Sequence, residues 1–309
     1  MPPDRERVAP ILDPGPRIGV ALGGGSARGY AHIGVLAVLE RRGLAPDVLV
    51  GTSFGAVVAA LYALGRSPAE MRRAAEDLRR RDVLPRIVDF GWGEGALFAG
   101  RRLEAYFHGL VGDVRIEALP RTLAVVTTDV DSGERVVLRS GPLATALRAS
   151  ASLPGVFAPV RWEGRRLVDG GIGAPVPLAT LEGFGVDLAL GVGAGIEARD
   201  SRGLRWARRA SRSPIGRRLQ RTLAGRAPAH RMGAAATFAR ALALTLEAWG
   251  EAADALPAGE GGAVHVQTRP PIHWLRFDRA AAAIAAGDAA MESAWPGVGS
   301  RLAALLPTG

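Results

Sequence analysis

The stretch Val48-Leu49-Val50-Gly51-Thr52-Ser53-Phe54-Gly55-Ala56-Val57-Val58-Ala59-Ala60-Leu61 decides how this chain is read. Its first part is a β-favouring run closed by glycine, which predicts a buried strand over Asp47 to Gly51. From Phe54 to Leu64 the pattern resumes as helix. Between the two, Gly51-Thr52-Ser53-Phe54-Gly55 fits G-x-S-x-G. A serine on a sharp strand-to-helix turn needs small neighbours two positions away on either side, so that strained backbone can turn and project the hydroxyl into a cleft. The following helix points its positive end at the same place. In a chain with 41 glycines a bare match means only a tight turn. The strand–turn–helix context is what makes Ser53 a candidate nucleophile.

Upstream, Arg17 to Leu22 reads as a strand ending in Gly23-Gly24-Gly25-Ser26, with a helix expected from about Gly29 to Arg42 and stopped by Gly43. Backbone N–H groups of such a loop, at a helix N-terminus, converge on negative charge. A dinucleotide loop competes with this reading, but G-x-G-x-x-G fails from both Gly23 and Gly24. The looser match Gly193-Ala194-Gly195-Ile196-Glu197-Ala198 leads into an arginine-rich stretch with no acid about 20 residues on.

Downstream, Arg66 to Arg86 reads as an exposed helix and Asp89 to Gly100 as a loop over a pocket. Leu123 to Val130 and Arg135 to Leu138 flank the turn signal Asp131-Ser132-Gly133. Leu143 to Ala151 is helical, and the strand Arg166 to Val168 runs into Asp169-Gly170-Gly171. A strand at Val186 to Val192, a helix at Ala234 to Leu256, a strand at Ala263 to Gln267 and a helical pair from near Asp278 complete the pattern. This alternation predicts an α/β layered fold. The expected organisation is a leader at 1–16, a catalytic core at 17–198, an arginine-rich segment at 199–231, and residues 232–309 completing the core domain.

A serine nucleophile needs a base. Asp169 ends a buried strand and precedes two glycines, a setting in which it would act on the serine directly or simply cap local N–H groups. The conventional order Ser, Asp, His allows instead Ser53, Asp169 and then His265 or His273.

Composition removes other chemistries. All 39 basic residues are arginine, and there is neither lysine nor cysteine. That excludes a Schiff base, a Walker-type phosphate loop, a thiol nucleophile, a thiolate zinc site and a disulfide. Residues 199–231 hold eleven arginines against the single acid Asp200, a net of +10; with a chain total of +9, the remainder sits at −1. There Ile215, Leu219 and Leu223 recur at i, i+4, i+8 beside Arg217, Arg218 and Arg221, with Trp206 as a further anchor. This is the pattern of an interfacial helix, and an anionic membrane surface is its expected partner rather than nucleic acid. The longest uncharged run near the front, Thr52 to Gly65, falls short of the ~20 residues that cross a bilayer, and Met232 to Gly250 is broken by Arg240 and Glu247. A cytoplasmic protein, peripheral on the inner membrane, is expected.

Taken together, Gly23-Gly24-Gly25-Ser26-Ala27-Arg28-Gly29, His32-Ile33-Gly34-Val35-Leu36, Gly51-Thr52-Ser53-Phe54-Gly55-Ala56 and Asp169-Gly170-Gly171 resemble the bacterial patatin-like phospholipases. Thr128-Asp129, Ala149-Ser150, Pro154-Gly155-Val156-Phe157 and Pro175-Val176-Pro177 agree with the resemblance, which is strong from Arg17 to Leu178 and looser over Val186 to Gly193 and from Ala263 onward. It implies a three-layer α/β/α hydrolase with a mostly parallel central sheet that cleaves lipid acyl esters. It also implies a Ser–Asp dyad without catalytic histidine, no metal and no cofactor. Carried over, Ser53 is the nucleophile, Asp169 the base, and Gly24, Gly25 and Ser26 the oxyanion donors, supported by Arg28, Gly51, Gly55, Gly170 and Gly171. His32 is then structural, and Phe54, Phe90, Trp92, Leu97, Phe98 and Phe157 are candidates to receive an acyl chain. Ser26 stands where the family often has glycine, and Ala174 where many members have asparagine before Pro-Val-Pro. The rivals are a His-dependent α/β-hydrolase and a membrane-associated regulator with a degenerate site.

Overall fold

The computed structural model describes residues 15–78, 87–93, 96–195, 263–273 and 275–305. The chain runs through β1 (Ile18–Leu22), α1 (Ala31–Arg41), β2 (Val48–Thr52), α2 (Phe54–Ala63), α3 (Pro68–Glu76), β3 (Phe90–Gly93), β4 (Ala96–Phe98) and α4 (Arg101–Val111). It continues through β5 (Thr122–Asp129), β6 (Arg135–Leu138), α5 (Leu143–Ser150), β7 (Val160–Trp162), β8 (Arg165–Asp169), β9 (Leu188–Ala194), β10 (Val264–Thr268) and α6 (Ala280–Leu305).

Eight strands form one sheet in the order β10-β9-β1-β2-β5-β8-β7, with β6 also on β5. The pairs from β10 to β5 are parallel, whereas β5–β6, β5–β8 and β7–β8 are antiparallel. The fold is therefore α/β with a mostly parallel central sheet flanked by helices. Side chains alternate across a strand, and the bulkier set faces the α-helices. Val20, Leu22, Leu49, Val125, Leu190 and Val192 join the core beneath α1, α2, α5 and α6. Ala21, Val48, Val50, Ala124 and Val126 face the opposite layer, where Leu181 of a 3-10 helix at Leu178–Phe184 covers them.

Helix α6 packs along α1 at a glycine crossing. A Cβ on Gly34 would meet the backbone of Ile284 and Asp288, and one on Gly287 would meet the backbone of Ala31. Ion pairs flank the crossing, exposed Arg42 of the α1 C-terminus to Glu292 at 2.6 Å and half-buried Arg72 of α3 to Asp288 at 3.0 Å. Each is worth little alone, since water screens both partners.

Three expectations change and one strand was not foreseen. Asp89 to Gly100 is not a plain loop but holds the β3–β4 hairpin, whose second strand is tied to the segment after α5 by Leu97 N–H to Gly155 O and Phe98 N–H to Val156 O. Strand β7, unmarked by any hydrophobic run, pairs with β8 through Glu163-Gly164, where both residues take positive φ (47° and 79°), as a tight hairpin turn demands. The C-terminal helical pair is one 26-residue helix that runs through Pro296. Proline removes one backbone bond, but buried Ile284, Met291 and Val298 lie on both sides of it, so packing holds the helix together. Helix α3 ends at Glu76, capped at its start by a reciprocal Ser67–Glu70 box, and the rest of the helix expected to Arg86 lies outside the described residues apart from Asp77 and Leu78. So do the arginine-rich segment, the helix expected at 234–256 and almost all of the leader.

Candidate active site

The site lies where two strand ends meet on one edge of β5. β2 runs parallel to β5 and ends with Thr52 opposite Val126. β8 runs antiparallel to β5 and ends with Asp169 opposite Thr127. Both lie on the edge away from β6, which pairs with Val126 and Thr127 from the other side. Consecutive positions of one strand thus bring together residues 116 apart in sequence, and the Ser53 Oγ donates to Asp169 Oδ2 at 2.7 Å.

Ser53 sits at φ 52°, ψ −125°, backbone that a non-glycine residue rarely adopts. Such a turn persists only when its surroundings over-determine it. Gly55 packs so closely on the end of β1 that a Cβ there would strike the carbonyls of Leu22 and Gly23, and at Gly51 it would strike the backbone of Ala56. The Ser53 N–H donates to Ser150 Oγ at 2.8 Å, and the Ser150 hydroxyl donates in turn to Val126 O at 2.7 Å. Thr52 Oγ1 donates to Ala174 O at 3.0 Å, so a main-chain carbonyl anchors the turn at the position where the side chain departs from the family.

Asp169 is buried, with both oxygens engaged: Oδ2 by Ser53 and Oδ1 by the Gly171 N–H at 2.7 Å. Its own N–H donates to Ser152 O at 2.9 Å. Gly170 lies flat against the Val126 carbonyl. Burial disfavours the carboxylate and pushes its pKa up to about 6, with the two hydrogen bonds pulling the other way.

The glycine loop closes the third side, with Gly24 packed on Ser53: a Cβ there would lie 3.5 Å from that of Ser53. The Gly24 N–H, expected as an oxyanion donor, is instead spent on Pro175 O at 2.9 Å. Among the described residues the N–H groups of Gly25 and Ser26 have no protein acceptor, and they open the 3-10 helix Ser26–Tyr30 that leads into α1. Ser26 adopts φ 50°, the conformation that makes glycine common there. Arg28 is buried and holds Ile272 O through Nε at 3.0 Å, tying the loop to the chain after β10. His32 lies beneath, fully buried, its Nε2–H donating to Gly23 O at 2.7 Å.

Neither candidate histidine base is bonded to the Asp169 carboxylate, whose oxygens are taken by Ser53 and Gly171. His265 stands on β10, separated from β2 by β9 and β1, and His273 Nδ1 accepts the N–H of Leu275. The apolar candidates divide into two groups. Phe98 pairs with Phe157 at 5.8 Å, beside exposed Leu97, whereas Phe54 stacks edge-on against Tyr30 at 4.8 Å and lies 6.0 Å from Phe277. The side chains of Phe90 and Trp92 lie outside the described residues. Among the described residues no cluster of three or more acidic or histidine side chains is placed to hold a metal, and no helix is long and apolar enough to cross a membrane.

Sequence reasoning gave no role to Ser150, quoted only within a family-like stretch, and missed Ser152, two residues past the end of α5. Their signal was faint, two serines among alanines where an apolar helix stops.

An uncharacterized NTE family protein of Mycobacterium tuberculosis is 41% identical over 177 residues, covering 57% of this chain and 49% of that protein. Patatin-like phospholipase domain-containing protein 6 of Mus musculus is 34% identical over 196 residues, 62% of this chain and 14% of that one. The chain thus spans about half the length of that mycobacterial relative, and 27% of another from the same organism. VipD from Legionella pneumophila, a solved structure, is a distant likeness at TM-score 0.43 and 15% identity over 92% of this chain and 67% of that one, too weak to bear on the site. The family model for patatin-like phospholipases matches residues 20–181, just over half of the chain and the region that carries the glycine loop, Ser53 and Asp169, and the chain belongs to that family.

Proposed function

We propose that this protein hydrolyses acyl esters of lipids through Ser53 and Asp169, by way of an acyl-enzyme. The observation that carries the proposal is the 2.7 Å bond from Ser53 Oγ to a buried carboxylate, made by a serine held in strained backbone. Ser53 Oγ attacks the ester carbonyl carbon as Asp169 Oδ2 takes its proton. The tetrahedral oxyanion would be received by the N–H groups of Gly25 and Ser26, at the positive end of the 3-10 helix. Asp169 then returns the proton to the departing alcohol, and later takes one from the water that attacks acyl-Ser53 and gives it to Ser53 Oγ as the fatty acid leaves. A surface carboxylate is a weak base for this work, and a pKa of about 6 makes Asp169 a stronger one while leaving it mostly ionised at neutral pH.

The test is p-nitrophenyl butyrate hydrolysis by wild type, Ser53→Ala and Asp169→Asn, with fatty acid release from phosphatidylcholine micelles in parallel. Both variants are expected to lose roughly 10³-fold or more in kcat/KM. Turnover that both variants retain would overturn the proposal, as would a fluorophosphonate probe that leaves Ser53 unlabelled.

The +10 of residues 199–231 supports docking on an anionic membrane, with the protein cytoplasmic and peripheral on the inner membrane. Co-sedimentation with phosphatidylglycerol liposomes at low salt should fall when the segment is deleted, and unchanged binding would refute that part.

A further inference from the structure

The C-terminal end of α5 and the two residues after it touch the backbone of both members of the pair, and nothing in the proposed chemistry requires them to. Ser150 Oγ accepts the N–H of Ser53, while two residues on, the Ser152 carbonyl accepts the N–H of Asp169. We infer that Ser150 is a positioning residue for the nucleophile: its hydroxyl clamps the Ser53 amide and thereby sets the Ser53 Oγ against Asp169. The inference rests on the Ser53–Asp169 reading above.

The Ser150 hydroxyl is fully buried and fully used. Its one proton goes to Val126 O and a lone pair receives the Ser53 N–H, so its orientation is fixed from both sides. The acceptor Val126 is also the residue opposite Thr52 in the β2–β5 pairing. One hydroxyl therefore links the nucleophile's turn to the strand that registers β2 and β8. Ser53 has left the β2 ladder at this point, and without Ser150 its N–H, on a positive-φ residue, would lose its acceptor. Removing the clamp takes a partner from the Ser53 N–H and from the Val126 carbonyl and lets the turn relax, which moves Oγ. A shift of about 1 Å in a reacting group costs on the order of 10²-fold in rate. It also weakens the Ser53 bond that holds the Asp169 pKa down, so that pKa climbs.

The experiment compares wild type, Ser150→Ala and Ser150→Cys in p-nitrophenyl butyrate hydrolysis across pH, with active sites counted by fluorophosphonate labelling. Ser150→Cys fills the same space with a poor hydrogen-bond partner and carries the test if the alanine variant does not fold. Thr145→Ala is the control, because it removes a hydroxyl bonded to Glu104 at the other end of α5 and leaves the pair untouched. Expected for the Ser150 variants is a fall of roughly 10- to 100-fold in kcat per labelled site with KM nearly unchanged, and an inflection above the wild-type value of about 6. Thr145→Ala should keep wild-type kcat and inflection whatever its thermal stability. A kcat per labelled site within about threefold of wild type, or lost activity that only follows the labelled fraction with the inflection unmoved, would overturn the inference. If Ser53→Ala itself retains turnover, the Ser53–Asp169 reading fails and the role of Ser150 falls with it. An inactive Ser53→Ala beside a normal Ser150→Cys refutes Ser150 alone.

Discussion

Asp169 lies buried against the hydroxyl of Ser53, 2.7 Å away, and the same burial that makes it a better base dictates where on the pH scale the pair would work. The carboxylate must be ionised to take the serine proton. Ester hydrolysis should therefore rise about tenfold per pH unit below an inflection near 6 and level off above it. A kcat/KM profile with p-nitrophenyl butyrate from pH 4.5 to 8.5 checks this. An inflection near 4, the value of an exposed aspartate, would mean that the buried carboxylate is not the base.

The same shift has a stability consequence of opposite sense to the common acidic case. Folded Asp169 keeps its proton up to about pH 6, while the unfolded chain releases it near 3.8. The folded state binds more protons in that window, so stability falls as pH rises through it, by about 3 kcal/mol in all. Asp169→Asn keeps the shape and removes the charge. We expect it to be inactive yet more stable than wild type at pH 8, by up to about 3 kcal/mol, with the gap closing towards pH 4. Urea unfolding of both proteins at pH 4, 6 and 8 reads the gap directly.

His32 works in the other direction. Burial lowers its pKa to about 4, the bond to Gly23 O opposing the shift only in part, and its Nδ1 has no partner among the described residues. The folded ring stays neutral while the unfolded chain takes up a proton from about pH 6.5, so stability falls as pH drops from 6.5 towards 4, by about 3 kcal/mol. Between pH 4 and 6 this slope and that of Asp169 nearly cancel. His32→Gln should expose the remainder: on going from pH 7 to 5 it should lose about 2 kcal/mol less than wild type, measured as the change in unfolding free energy and not its absolute value.

Gly287 offers a test of packing. Alanine in place of glycine inside an exposed helix usually gains about 1 kcal/mol. At Gly287 the new methyl would meet the backbone of Ala31, 2.9 Å from its Cα, with no flexible side chain to give way. Gly287→Ala should therefore destabilise by roughly 1–3 kcal/mol, seen as a lower Tm. A Tm at or above wild type would show that α1 and α6 do not cross as closely as described.

The parts of the molecule legible in the sequence are those set by neighbours along the chain. β1, β2, α1, α2 and the Asp131-Ser132-Gly133 hairpin announce themselves by apolar runs and turn residues, and Ser53 by the two glycines that flank it. What stayed hidden depends on partners distant in sequence. Gly24 looks like its neighbour Gly25, and only the return of the chain to Pro175 separates the engaged N–H from the open one. Ser150 is a small residue at a helix end until Ser53 and Val126 are brought to it from 97 and 24 positions away. β7 has three residues and no alternation of its own, and exists because Glu163-Gly164 turns it back on β8.

The meeting of β2 and β8 on one edge of β5 makes the site indifferent to chain length in some places and intolerant of it in others. Residues added at Asp131–Gly133 or at Glu163–Gly164 extend hairpin tips and leave both strand ends where they are. One residue added between Arg165 and Asp169 would slide the carboxylate by about 3.3 Å and turn it to the opposite face of the sheet. Homologous chains that share this arrangement should accordingly vary in the lengths of those two tips while holding constant the five-residue count of β8.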